Sequence, residues 1–273
     1  MSTLAIAKKD FQDGARSKTL WGLTVLFVLF AGGITYAYSS FDLFAGNEEA
    51  SALGLIGIIQ SAGAVLVPII ALLVGYKSIA GERESGSIKL LLGLPHERRD
   101  MVFGKLIGRT LVVAVPIVVG YLVAAVLAIV LIGTLPFVDF LLFVGLTVLF
   151  GLAYMSVAVG FSSATSSTSR AAALALAVWV IFQIAWSLVT TVILYFANGQ
   201  SLPARFPDWY YLLNRLGPDG GYGVATGLLL PDTNTALDRS AWFLQEWFGL
   251  VILAFWILVP VGLGYLRFRT VDL

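Results

Sequence analysis

Between Gly81 and Lys105 the chain reads GERESGSIKLLLGLPHERRDMVFGK and carries nine charged side chains in 25 positions. Four are acids, Glu82, Glu84, Glu97 and Asp100, set among Arg83, Lys89, Arg98, Arg99 and Lys105. Gly81 and Gly86 have the glycine spacing of a phosphate-binding loop. Ser87 stands where that loop has its lysine, however, and no strand precedes it, so ATP is not bound by this motif. His96 is the only histidine and there is no cysteine. A histidine metal cluster, thiolate metal sites, disulfides and cysteine nucleophiles are therefore excluded within the chain. What remains is recognition of another surface. Ile88, Leu91 and Leu92 fall at i, i+3 and i+4 with Glu84 and Lys89 off that stripe, which predicts a short amphipathic helix. Pro95 then forces a break, and Glu97 is expected in the first turn of the helix that follows. A purely basic loop would suit anionic lipid, whereas mixed charge suits a protein partner. The plain alternative is that any cytoplasmic loop collects basic residues.

The rest of the chain can scarcely tolerate a charge. Of its 273 residues 59% are hydrophobic and 12% charged, against about 25% charged in soluble domains, and the mean hydropathy is +0.91. A net charge of +1 gives no reason to expect nucleic acid. Crossing the hydrocarbon core takes about 20 apolar residues. Six runs qualify: Leu20–Tyr38, Gly54–Tyr76, Thr110–Ile132, Phe140–Phe161, Ala171–Ala197 and Trp247–Leu266. None contains Asp, Glu, Lys or Arg, and Pro68, Pro116 and Pro260 are expected to kink three of them. Ala37-Tyr38-Ser39 resembles a signal cleavage site, but the 19-residue run before it exceeds the roughly 7–15 residues of a signal core, so a retained first helix is expected. An intramembrane serine protease would need a histidine at membrane depth and a di-aspartate protease an aspartate there, and the spans supply neither.

Orientation follows from Lys and Arg. Fourteen lie in the arm before the first span, between spans two and three, after span four and after span six, whereas Arg205, Arg215 and Arg239 lie between spans five and six. The reading is an all-α integral membrane protein with six transmembrane helices and both termini cytoplasmic, multi-pass in the cell membrane. It is one transmembrane domain over residues 1–273, with an arm at 1–19, a cytoplasmic loop at 77–109 and an external segment at 198–246. In the arm, Leu4, Ala7, Phe11 and Ala15 share a stripe, as in a helix lying on the membrane surface, although Gly14 weakens it. The arm also reads as a topology signal and nothing more. The external segment carries Trp209, Tyr210, Tyr211, Tyr222 and Trp242, which suit interfacial anchoring. A cargo-accepting surface or a dock for an external partner is the alternative. Gln60, Ser61 and Gln183 are candidates for lining a path, or for hydrogen bonding between helices.

At the loop the sequence resembles the type-2 ABC exporter permeases, whose first cytoplasmic loop has a glutamate-rich element, a Gly-Ser or Gly-Thr step, a leucine run, a proline, an arginine and a closing Gly-Lys. The matching residues are Glu82-Arg83-Glu84-Ser85-Gly86-Ser87, Leu90-Leu91-Leu92, Pro95, Arg98 and Gly104-Lys105. Glu97 departs from the pattern, where the family often has a capping Ser or Thr. A narrower resemblance, to the permease subfamily of nitrous-oxide-reductase maturation, rests on Ile6–Asp10, Asp13-Gly14, Arg16, Val67–Leu73 and the loop. Beyond Arg109 it rests on the span layout and Asn214–Pro218.

The resemblance implies a non-catalytic half-transporter that pairs with a second permease copy, identical or sister, above two ABC ATPase subunits that bind ATP and Mg. No cofactor belongs to this chain itself. It implies that the arm is a connecting helix, that the loop is the coupling helix between spans two and three, and that part of the 198–246 segment, such as Val224–Leu230, is re-entrant. The coupling residues would come from Glu82, Arg83, Glu84, Gly86, Ile88, Leu91, Leu92, Pro95, Arg98, Arg99 and Lys105. The subfamily further implies a role in maturing a copper enzyme with an external maturation factor as partner. Export of lipid, peptide or toxic small molecules fits the same residues. Spans without ionisable groups favour an energy source outside the membrane over an ion-coupled carrier. A structural subunit with no transport role also remains open.

Overall fold

The computed structural model describes residues 3–40, 51–88, 97–229 and 241–270. Among these residues there are helices and no strands. Helix α1 spans Thr3–Arg16 and turns at Ser17 into α2, Lys18–Ser40. Helix α3, Ala52–Gly75, starts at Ser51, whose hydroxyl accepts the Gly54 N–H and so satisfies one of the four orphan donors of a helix start. A short helix α4, Ala80–Glu84, follows in the same direction. Helix α5, Arg98–Leu131, has 34 residues and is about 51 Å long at 1.5 Å per residue. That exceeds a hydrocarbon core of about 30 Å, so its charged first turns stand clear of the apolar layer. Then come α6, Phe137–Ala164, and a broken fifth span made of α7, Thr168–Val180, a π-helical turn, Ile181–Ala185, and α8, Trp186–Ala197. Two short helices, α9 at Asp208–Arg215 and α10 at Pro218–Thr226, precede the last span, α11, Trp247–Arg269. Among the described residues six helical stretches are long and apolar enough to cross a membrane.

Helices α5 and α6 form the centre. Helix α2 packs along α5, α3 and α11 along α6, and α1 along the first turns of α5. Two-thirds of the most apolar stretch of α6 is buried, against 6% for α7–α8, which therefore lies at the periphery. Helices α6 and α11 meet through glycines. A Cβ on Gly160 would fall 2.4 Å from the Pro260 carbonyl oxygen, and one on Gly264 would fall 2.4 Å from the Gly160 oxygen. Small residues of this kind let membrane helices approach to backbone contact.

Several expectations need correction. Glu97 is the N-cap of α5 rather than a first-turn residue, and its side chain makes no capping bond. Pro68, Pro116 and Pro260 each lie inside a continuous helix, which leaves the expected kinks untouched. Beyond those expectations, the fifth span carries the π turn. In the arm, the face against α5 is Ala7, Asp10 and Gly14, while Leu4 is 71% exposed. Ala7 and Leu4 thus do not share one environment, and Gly14 is no weakness: a Cβ there would sit 2.4 Å from Val112 Cγ2. The 198–246 segment contains α9 and α10, joined at Leu216–Gly217; Val224–Thr226 close α10, and Leu230 lies outside the described residues.

Candidate functional site

Charged side chains gather at the end of the bundle that carries both termini. Gly104 and Gly108, one turn apart on α5, leave room for α1: a Cβ at Gly104 would lie 2.7 Å from Ile6 Cβ, and one at Gly108 would lie 2.9 Å from the Ala7 carbonyl. This close seat brings Asp10 of α1 against Lys105 and Arg109, which share a face of α5 at i, i+4. Lys105 Nζ lies 2.8 Å from Asp10 Oδ1 and 2.6 Å from Glu82 Oε1 of α4. Arg109 Nε lies 3.0 Å from Asp10 Oδ2, an ionic contact without hydrogen-bond alignment. The Asp10 side chain is 3% exposed. A carboxylate so far from water is tolerable only when paired, and two acids against two bases leave the cluster neutral.

Helix α4 is also tied to α6 and α7. The Ser162 hydroxyl of α6 accepts the N–H groups of Ile79 and Ala80 at 3.0 and 2.9 Å, which satisfies donors at the start of α4. Arg83 Nη1 donates to the Thr165 carbonyl at 2.8 Å, just past the end of α6. Glu84 Oε2 accepts the Thr168 N–H at 3.1 Å and the Thr168 hydroxyl at 2.5 Å, at the start of α7. A cation at a helix C-terminus and an anion at a helix N-terminus each match the local end of the dipole. Arg98 repeats the pattern by donating from Nη1 to the carbonyls of Phe268 and Arg269, both at 2.9 Å, at the end of α11. At the start of α5, Asp100 accepts the Thr3 hydroxyl at 2.6 Å.

Of the coupling residues expected from sequence, Glu82, Arg83, Glu84, Arg98 and Lys105 thus have partners within the chain. Arg99 pairs with Glu97 at 2.8 Å in the open, with 61% of its side chain exposed. Gly86 takes φ +75°, a left-handed turn that favours glycine, and Ile88 is buried. Leu91, Leu92 and Pro95 lie outside the described residues. Sequence reasoning missed Asp10, Arg109, Ser162 and Thr168. The available signal was an acid on a face otherwise made of Ala7 and Gly14, together with the Gly104–Gly108 pair.

A second polar node lies in the middle of the bundle. Gln183, in the π turn, donates Nε2 to the Ala64 carbonyl at 2.7 Å and to Asp219 Oδ1 at 2.6 Å. Asp219 Oδ2 accepts the Tyr154 hydroxyl of α6. The hairpin that brings Asp219 there is held along its length. Trp186 and Trp256 donate ring N–H groups to the Leu213 and Leu216 carbonyls, both at 2.8 Å. Tyr222 stacks on Phe150 at 4.3 Å and shares a hydrogen bond with Thr147. Gln60 Nε2 donates to Thr226 Oγ1 at 2.6 Å, whereas the exposed Ser61 hydroxyl bonds within its own helix to the Gly57 carbonyl. Both glutamines therefore hydrogen-bond across helices. Asp219 also corrects the expectation of a bundle free of ionisable groups: the six spans contain none, but the hairpin inserts one between them.

Among the described residues no group of three or more His, Cys, Asp or Glu could hold a metal ion. Compared with known proteins, the chain matches the family described as ABC-2 family transporter protein over residues 4–273. It is 32% identical over 278 residues to the "Probable ABC transporter permease protein NosY" of Stutzerimonas stutzeri, covering 97% of this chain and 96% of that protein. It is 30% identical over 283 residues to the protein of the same name from Pseudomonas aeruginosa, with the same coverage. With its six apolar crossings and a match over nearly its whole length, the chain belongs to the ABC-2 family of transporter proteins, as the permease subunit of an ABC transporter.

Proposed function

We propose that two permease copies, identical or sister, enclose a path and that ABC ATPase subunits dock on the end carrying the termini and residues 77–109. That end faces the cytoplasm, and the membrane is the plasma membrane. ATP and Mg are held by the ATPase, and its motion enters this chain through the loop between α3 and α5. The observation that carries the reading is the Glu82–Lys105–Asp10 chain of ion pairs, which joins α4 to both α5 and α1. With Arg83, Glu84 and Arg98 bound at the ends of α6, α7 and α11, a push on this loop is delivered to five helices at once. The energy-source argument no longer rests on an ion-free interior, since Asp219 is present. It rests on the family. The cargo role we propose is supply to a metal centre in copper-enzyme maturation, with an external maturation factor on the far end. It is supported by the likeness of the arm, Val67–Leu73 and the loop to that subfamily and by the two NosY relatives.

The absence of cysteine makes the test clean. In cells expressing the ATPase, Arg99→Cys is expected to cross-link to the ATPase from the cytoplasm, and Gln200→Cys at the opposite end is expected to react only with reagents added outside. Cytoplasmic labelling at 200, or no ATPase adduct at 99, overturns the reading.

A further inference from the structure

We propose that the crevice between the α1–α2 elbow, α3 and α5 is a binding site for an anionic phospholipid. The cavity is about 490 Å³, within the size range of small-ligand pockets. Its lining is amphipathic along one direction. At the outer end stand Lys77 and Arg109 with the hydroxyl-bearing Ser17 and Thr19. Moving toward the middle of the bundle along α2 and α3, the walls become Leu23, Val74 and Ile70. A phosphodiester head beside the cations and an acyl chain along the deeper wall match that order.

The cations are available for the task. Lys77 is exposed, lies over the Tyr76 ring at 5.3 Å, and makes no ion pair among the described residues. Arg109 lines the cavity and engages Asp10 through Nε, so its two Nη groups are not used in that contact. Against these the lining has one carboxylate, Asp13, while Arg16 and Lys18 flank Ser17 on the elbow. Basic pockets between transmembrane helices recognise anionic headgroups in this way. A soluble phosphate would use the charged rim and leave the apolar depth unfilled, which favours the lipid. A lipid lodged there touches α1, α2, α3 and α5 together and so sets the spacing between the arm and the second span.

The orientation proposed above decides only which leaflet supplies the lipid. The test is native mass spectrometry on the full chain in non-ionic detergent, titrated with phosphatidylglycerol and with phosphatidylcholine of the same acyl chains. Phosphatidylglycerol is expected to bind tighter, Lys77→Gln to weaken it about fivefold, and Asp13→Asn to strengthen it. A purely structural role for these residues would not move affinity in opposite directions. Equal affinity for the two lipids, no effect of either substitution, or displacement by inorganic phosphate overturns the proposal. Because the measurement needs neither ATPase nor membrane sidedness, its failure leaves the coupling reading standing.

Discussion

Gln183 donates its side-chain amide to the carbonyl of Ala64, and Ala64 lies four residues before Pro68. Proline has no N–H to offer the carbonyl one turn back, so the Ala64 oxygen lacks the i+4 donor that a helix normally supplies. The π turn on the fifth span supplies the missing donor. Gln183→Leu is therefore expected to destabilise the chain by about 1–3 kcal/mol, and by less in a Pro68→Ala background, where the helix regains its own N–H. A denaturation cycle on the four proteins reads the coupling, expected above about 0.5 kcal/mol. Strict additivity would mean that Gln183 does not serve this carbonyl.

Asp219 accepts from both the buried Tyr154 hydroxyl and the half-buried Gln183 amide, so its removal takes a partner from two donors, whereas Tyr154→Phe removes a single donor. Asp219→Leu is expected to cost more than Tyr154→Phe, with about 1–3 kcal/mol for each group left unsatisfied. Hydrogen exchange should then rise across α9 and α10 while α5 stays protected. Unchanged exchange in the hairpin would show that Asp219 does not hold it.

Asp10→Ala removes the carboxylate shared by Lys105 and Arg109, leaving Lys105 paired with Glu82 alone and the partly exposed Arg109 without this contact. The expected loss is about 1–3 kcal/mol, measured by thermal unfolding in detergent. Arg99→Ala, whose pair with Glu97 is open to solvent, should change stability by no more than about 0.5 kcal/mol. Comparable losses from the two would contradict the contrast in burial.

Gly160→Ala puts a methyl group against the backbone of α11 at Pro260, where no flexible side chain can yield. Overpacking of about 1–3 kcal/mol is expected. Gly22→Ala meets nothing within 4 Å and should be neutral, or stabilising by up to about 1 kcal/mol through helix propensity. The pair of melting curves separates tight packing from a general intolerance of substitution.

Glu84→Lys removes the group that receives both Thr168 donors and sets a cation at the start of α7, where the helix dipole repels it. In vesicles containing the complete transporter, ATP is expected to change the labelling rate of a Leu202→Cys reporter at the far end. With Glu84→Lys added, hydrolysis should continue while the reporter stops responding. An intact response in that variant would remove Glu84 from the coupling route.

The six crossings were legible because apolar length is a local property, written in 18 or more successive residues. The charged loop stood out for the opposite reason. The hairpin was not legible as built: α9 and α10 have 8 and 9 residues, fall below any hydropathy window, and carry Gly217, Pro218 and Asp219, which read as an ordinary turn. The Asp10–Lys105 pair joins residues 95 apart, and no spacing rule reaches that far. The assignment of Leu4 to a shared stripe with Ala7 failed because small residues, not large apolar ones, mark the face that touches α5.

The same 95-residue separation orders biogenesis. Translation at about 5–20 residues per second adds Lys105 to the chain roughly 5–20 s after Asp10. Until then the first helix has only α2 to pack against, and its carboxylate lacks both of its cationic partners. Docking of the amino-terminal segment is therefore a late step, gated by insertion of the third crossing, and a nascent chain halted before that point would expose its first sixteen residues to proteases.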